Sequence, residues 1–156
     1  MFSSLPNVHP FLVHFPIALF TAAFVGDTLL VARFRNPWLD RACLAAYFVS
    51  ALLSLATAWT GKLAADALTP SLGESVAAAV ASHGDWAFAT VVLFFGVALV
   101  RLEALWRDRE RPSPRLTRAR LLALPLALAA EGCLLMTAAR GGELVYRHGV
   151  GVVIGP

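Results

Sequence analysis

Four long apolar stretches, Phe15 to Ala32, Ala42 to Gly61, Trp86 to Val100 and Leu121 to Ala139, constrain this chain more than anything else in it. The first is interrupted only by Asp27 and the last only by Glu131; the middle two carry no charge. A hydrocarbon layer of about 30 Å is crossed by about 20 helical residues, so each stretch reads as one transmembrane helix. Strands do not fit, because the runs are rich in Ala and Leu without alternation, and an open sheet in lipid would leave backbone groups unpaired. With 58% hydrophobic and 15% charged residues over 156 positions, and a mean hydropathy of +0.69, the chain lies outside the range of soluble domains. The expected fold is an all-α integral membrane four-helix bundle, a single domain over 1–156 with spans near 12–33, 41–62, 83–106 and 119–139. Short connections leave no room for a second domain.

Arginines set the expected orientation. Arg33, Arg35 and Arg41 flank the first connection, and Arg101, Arg107, Arg109, Arg111, Arg115, Arg118 and Arg120 flank the third. Only Lys62, Arg140 and Arg147 fall on the other side. Basic residues beside span ends stay in the cytoplasm, which puts both termini and the 62–82 segment outside, in the multi-pass topology of a bacterial inner-membrane protein. No cleavable signal peptide is evident, since the N-terminus has no basic region. The net charge of +3 is accounted for by topology and anionic headgroups, so nucleic acid is not an expected partner. Cys43 and Cys133 lie in or beside spans without a CxxC spacing, which excludes a disulfide framework or thiolate metal centre. Trp38, Trp59, Trp86 and Trp106 fall near span ends, as an interfacial belt does. The segment from Arg107 to Arg118, with Pro112 and Pro114, reads as a linker. Glu74 to Ser82 reads as a short interfacial helix, and the Gly- and Val-rich residues after Arg140 as a tail folding over the outer mouth. No internal repeat is strong enough to use.

All four histidines, His9, His14, His83 and His148, come to the outer end of this bundle from three separate parts of the sequence. In the entry His9-Pro10-Phe11-Leu12-Val13-His14-Phe15-Pro16 the two prolines remove backbone donors, so a kinked start is expected. Five residues turn a straight helix by about 140° net, so His9 and His14 do not share a face. His14 facing His83 on another helix would hold a haem iron axially. His9 and His148 would form a second pair or support the first, and Arg140 would fork onto haem propionates. Met136 is a further sulfur candidate, and Asp66 or Asp85 could orient an imidazole. The same four histidines could instead take Zn or Cu, or simply shape the outer mouth of a non-catalytic membrane subunit or assembly factor. Glu131, near the middle of its span, is either a functional carboxyl or a protonated one bonded to Ser50, Ser54 or Thr57. Asp27 is expected to pair with Arg33 or Arg35.

The opening His9-Pro10-Phe11-Leu12-Val13-His14-Phe15-Pro16-Ile17-Ala18-Leu19, His83 heading the third span, and the closing Gly141-Gly142-Glu143-Leu144-Val145-Tyr146-Arg147-His148-Gly149-Val150-Gly151-Val152 resemble the DUF2231 family of small bacterial membrane proteins, over nearly the whole chain. The resemblance implies a membrane fold more than an activity. Related domains occur beside Rieske iron-sulfur or cytochrome c modules, which implies by association a haem-linked or electron-transfer setting. The leading expectation is therefore a membrane electron-transfer protein with b-type haem at the outer histidines, working between a quinone or membrane partner and a periplasmic carrier. Gly26 and the small residues of the second span permit close helix contact within one chain or between copies, so a homo-oligomer stays open.

Overall fold

The structure, a computed structural model, describes residues 8–32, 36–110 and 118–152. Helix α1 (His9–Leu12) is one turn; α2 (His14–Ala32), α3 (Pro37–Leu68), α4 (Glu74–Glu110) and α5 (Arg118–Tyr146) are the long elements, with a 3-10 turn over Thr69–Ser71 between α3 and α4. Among the described residues, four helical stretches are long and apolar enough to cross a membrane: His9–Leu30, Pro37–Ser71, Glu74–Arg107 and Leu121–Tyr146. The chain is a four-helix membrane protein.

Local sequence explains the boundaries. Pro16 has no N–H to return to Leu12, so one hydrogen bond is missing between α1 and α2, while Val13 keeps a helical φ of −58° and ψ of −29°. Asn36 caps α3, its side-chain oxygen accepting from the Trp38 and Leu39 amides at 2.9 and 3.2 Å, with Pro37 in the first turn. Glu74 to Ser82 is not a separate interfacial helix. It is the first two turns of α4, since nothing between Ala81 and Trp86 breaks the hydrogen-bond ladder. Among the described residues no tail folds over the bundle mouth: α5 runs through Gly141 and Gly142 to Tyr146. The chain then turns at Gly149, whose φ of +62° is the left-handed conformation that glycine tolerates. There the Gly149 and Val150 amides donate to the carbonyls of Val145 and Leu144 at 3.1 and 2.9 Å, closing the end of their own helix. The expected linker around Pro112 and Pro114 lies outside the described residues.

The core departs from that of a soluble bundle. α3 turns Asp40, Cys43, Tyr47, Ser50, Ser54 and Thr57 inward at helical spacing, while Leu52, Leu55, Trp59 and Leu63 face out. In lipid the apolar face gains nothing by hiding, so polar side chains take the interior. Ser50 donates across to the Pro16 carbonyl at 2.9 Å, tying α3 to α2.

Down the centre of the bundle the two halves of the chain meet in matched pairs. His9 faces His83, Phe20 stacks on Phe94 with centroids 3.7 Å apart, and Asp27 meets Arg101 at 2.7 Å. His9, Phe20 and Asp27 have the same spacing as His83, Phe94 and Arg101. Their second helices match as well: Thr57-Ala58 and Gly61 in α3 correspond to Thr137-Ala138 and Gly141 in α5, with Cys43, Tyr47 and Ser50 corresponding to the equally buried Ala123, Ala127 and Ala130. The bundle is thus two helical hairpins, α1–α3 and α4–α5, related by a pseudo-twofold axis parallel to the helices. This corrects the expectation of no usable repeat.

Candidate functional site

The His9–His83 pair lies on that axis. The His9 ring packs over Gly61 of α3, where a Cβ would come within 2.8 Å of Cε1, and its Nδ1 donates to the Thr57 carbonyl at 3.0 Å. His83 repeats the arrangement on α5: over Gly141, where a Cβ would lie 3.1 Å from Cε1, with Nδ1 donating to the Thr137 carbonyl at 3.1 Å. Each ring sits in a notch that only glycine leaves open, four residues beyond the threonine that orients it. Thr137 also shares a hydroxyl hydrogen bond with Thr90 at 3.0 Å, fixing α4 against α5 just below His83.

The tautomer follows from these bonds. A carbonyl oxygen can only accept, so Nδ1 carries the proton in both rings and Nε2 is the nitrogen with a lone pair, the one able to ligate a metal. Backbone carbonyls therefore do the orienting that Asp66 or Asp85 was expected to do; Asp66 instead pairs with Lys62 at 2.9 Å.

Separation restricts what the pair could hold. A metal–imidazole bond of about 2.0 Å, with about 1.2 Å from nitrogen to ring centre, sets two trans imidazoles about 6.4 Å apart and a tetrahedral pair about 5.2 Å apart. The observed centroid separation is 6.3 Å, with ring planes 83° apart. His9 and His83 would be the residues to hold a metal-bearing group at such a spacing; here their rings meet edge to face. Among the described residues no group of three or more His, Cys, Asp or Glu side chains converges on one point, whereas zinc sites use three or four protein ligands.

The structure sets His9, and not the expected His14, against His83: the chain stays helical through Val13, with φ of −58° and ψ of −29°, so the five-residue step turns the two imidazoles of the entry motif apart. His9 points into the bundle, while His14 is exposed and donates to the Phe11 carbonyl of its own turn at 3.3 Å. His148, in the turn after α5, is also exposed. Arg140 stands beside Gly141 and reaches Glu143 at 3.3 Å, a carboxylate shared with Arg147 at 3.1 Å. Met136 is exposed on the outer face of α5.

At the other end lies a cluster that the sequence does not announce. Arg101, only 2% exposed, is held by Asp27 of α2 and Asp40 of α3, each at 2.7 Å. Tyr47 lies against Phe20 and beside Asp27. Asp27 thus pairs with Arg101; Arg33 and Arg35 lie outside the described residues. Arg101 looked like one more basic residue at a span end, and only its match to Asp27 in the repeat could have marked it. Glu131 lies beside Thr21 on α2, while the Ser50, Ser54 and Thr57 hydroxyls donate to the backbone carbonyls of Pro16, Ala51 and Leu53.

These features define a four-helix membrane protein with a duplicated hairpin and two imidazoles facing each other at one end. The family model described as predicted membrane protein (DUF2231) matches residues 5–154. The chain belongs to that family. No curated protein and no solved structure matches it.

Proposed function

We propose that this chain is a membrane electron-transfer protein that holds a b-type haem between His9 and His83. The observation that carries the reading is the pair itself: two imidazoles on different helices, each with Nδ1 committed to a backbone carbonyl, with ring centres 6.3 Å apart. Haem bound there would supply a one-electron couple at fixed geometry. The protein's part is orientation. Thr57 and Thr137 fix the tautomers, Gly61 and Gly141 let the rings seat against α3 and α5, and the duplication offers the ligand two equivalent faces. Arg140, one residue from Gly141 of the His83 notch, would take a propionate by exchanging its contact with Glu143. On this reading the partners are a quinone in the bilayer and an external one-electron carrier of cytochrome c or Rieske type, with the histidine end on the outer side of the bacterial inner membrane.

The test is an oxidised and a dithionite-reduced absorption spectrum of the detergent-purified protein, with metal content measured on the same sample. A Soret band with sharp reduced α and β bands is expected in the parent protein. His9→Ala and His83→Ala should each abolish it, and His14→Ala and His148→Ala should leave it intact. A colourless, metal-free protein would favour the second reading, for which the same hydrogen bonds speak: two histidines clasping α3 and α5 in a non-catalytic membrane subunit. Stoichiometric zinc or copper without haem would require ligands beyond the pair.

A further inference from the structure

The pseudo-twofold axis makes two of the helix seams equivalent, α3 with α4 and α5 with α2, yet they are not built alike. In the first seam Ala51 and Phe95 are packed into the core, Ala51 being 1% exposed. The corresponding residues of the second seam are Glu131 and Thr21. α2 and α5 also touch far more sparingly than α3 and α4 do. One seam is closed and apolar; its counterpart is looser and carries a carboxyl near the middle of the membrane.

Glu131 is half-buried, and its Oε1 is shielded from solvent with no hydrogen-bond partner. Thr21, beside it, is exposed on α2. A carboxyl at this depth costs several kcal/mol where a lipid-facing Ala would cost nothing, and such groups face interior or ligand sites. Glu131 stands six residues from Thr137, so it lies about 9 Å along α5 from the carbonyl that orients His83. A ligand at the seam would approach from the bilayer, lie flat between two helices and offer hydrogen-bonding oxygen to a carboxyl and a hydroxyl.

We propose that the seam between α2 and α5 is a binding site for a bilayer-dissolved quinone, whose ring oxygen is held by Glu131 and Thr21. The choice of a quinone rests on the electron-transfer reading above, which needs a lipid-soluble carrier within reach of the histidine pair. The site itself rests on the departure from symmetry.

A photoreactive azido-benzoquinone with a short alkyl tail, illuminated with the full-length protein in lipid nanodiscs and mapped by peptide mass spectrometry, tests it. Label is expected on α2 and α5 around Thr21 and Glu131, displaced by decylubiquinone. Glu131→Ala should lower apparent affinity by about five- to tenfold, the loss of one hydrogen bond to a buried group. Glu131→Gln, of the same shape and still a donor, should lose less, which separates recognition from a fold defect. Label spread over the lipid-facing residues of all four helices, or unchanged by Glu131→Ala, would overturn the proposal. Colour is read on the same samples: a colourless protein labelled at the seam sinks the haem reading and keeps this one, and a red protein labelled at random does the reverse.

Discussion

The two notch glycines carry more of the site than their size suggests. Replacing Gly61 with Ala puts a Cβ 2.8 Å from the His9 ring, tighter than the 3.1 Å at Gly141. In a helix, Gly→Ala ordinarily gains about 1 kcal/mol. Gly84, with nothing within 4 Å of a new Cβ, should show that gain in thermal unfolding in detergent. Gly61→Ala should instead lose about 1–3 kcal/mol, as overpacked sites do, with Gly141→Ala between the two. If Gly61→Ala were as stable as Gly84→Ala, the His9 ring would not be seated on α3. At this scale the sequence was partly legible. Four histidines at one end could be read from the hydropathy pattern, but not which two meet, because the five-residue step separates His9 from His14 by about 140° without saying which of them faces inward. The orienting groups were out of reach for a different reason. They are main-chain carbonyls, which every residue has, so Thr57 and Thr137 gave no sign of their role.

Helix existence was legible because mean hydropathy over about 20 residues is insensitive to detail. Helix ends were less so. α4 begins nine residues before the expected span, since an Ala-rich amphipathic turn continues a helix as readily as it starts one. α3 shows what an element-scale reading can miss. Its inward face is polar, so a search for an apolar stripe finds its lipid side. The charge on that face, Asp40 in the first turn of α3, belongs to the Arg101 clasp, which gathers α2, α3 and α4 around one guanidinium. Removing one member of such a buried ionic group is far worse than removing all of them. Arg101→Met should therefore cost about 3–5 kcal/mol, and combining it with Asp27→Asn and Asp40→Asn should recover most of that loss, both read as unfolding midpoints in detergent. Equal damage from the single and triple variants would mean that Arg101 acts through packing alone. Ser50→Ala, which removes one cross-helix bond to the Pro16 carbonyl, should cost only about 0.6 kcal/mol, the usual worth of such bonds within membranes.

The duplicated hairpin is the whole-molecule feature that single-residue reasoning passes over. Many equivalent positions share burial and not identity, Tyr47 with Ala127 and Ser50 with Ala130, so the similarity shows most clearly in His, Phe and the Thr-Ala-x-x-Gly turns. The divergence has a physical direction. On the axis, Phe20 meets its own equivalent, whereas Asp27 meets an arginine. Two copies of the first hairpin would set Asp27 against Asp27 beside two copies of Asp40, burying like charges at a cost of several kcal/mol. Complementary charge thus selects the pairing of unlike halves over that of like ones. Because membrane hairpins insert before they associate, and Gly73 lies in the turn between α3 and α4, the chain should be divisible there. Co-expressed halves 1–73 and 74–156, with a tag on one only, should co-purify. The first half carrying two different tags should not pull itself down. Asp27→Asn with Asp40→Asn in the first half should weaken the mixed complex and permit self-association, because the repulsion is gone along with the attraction. If the unmodified first half paired with itself as well as with the second, the Arg101 clasp would not be what holds the two hairpins in register.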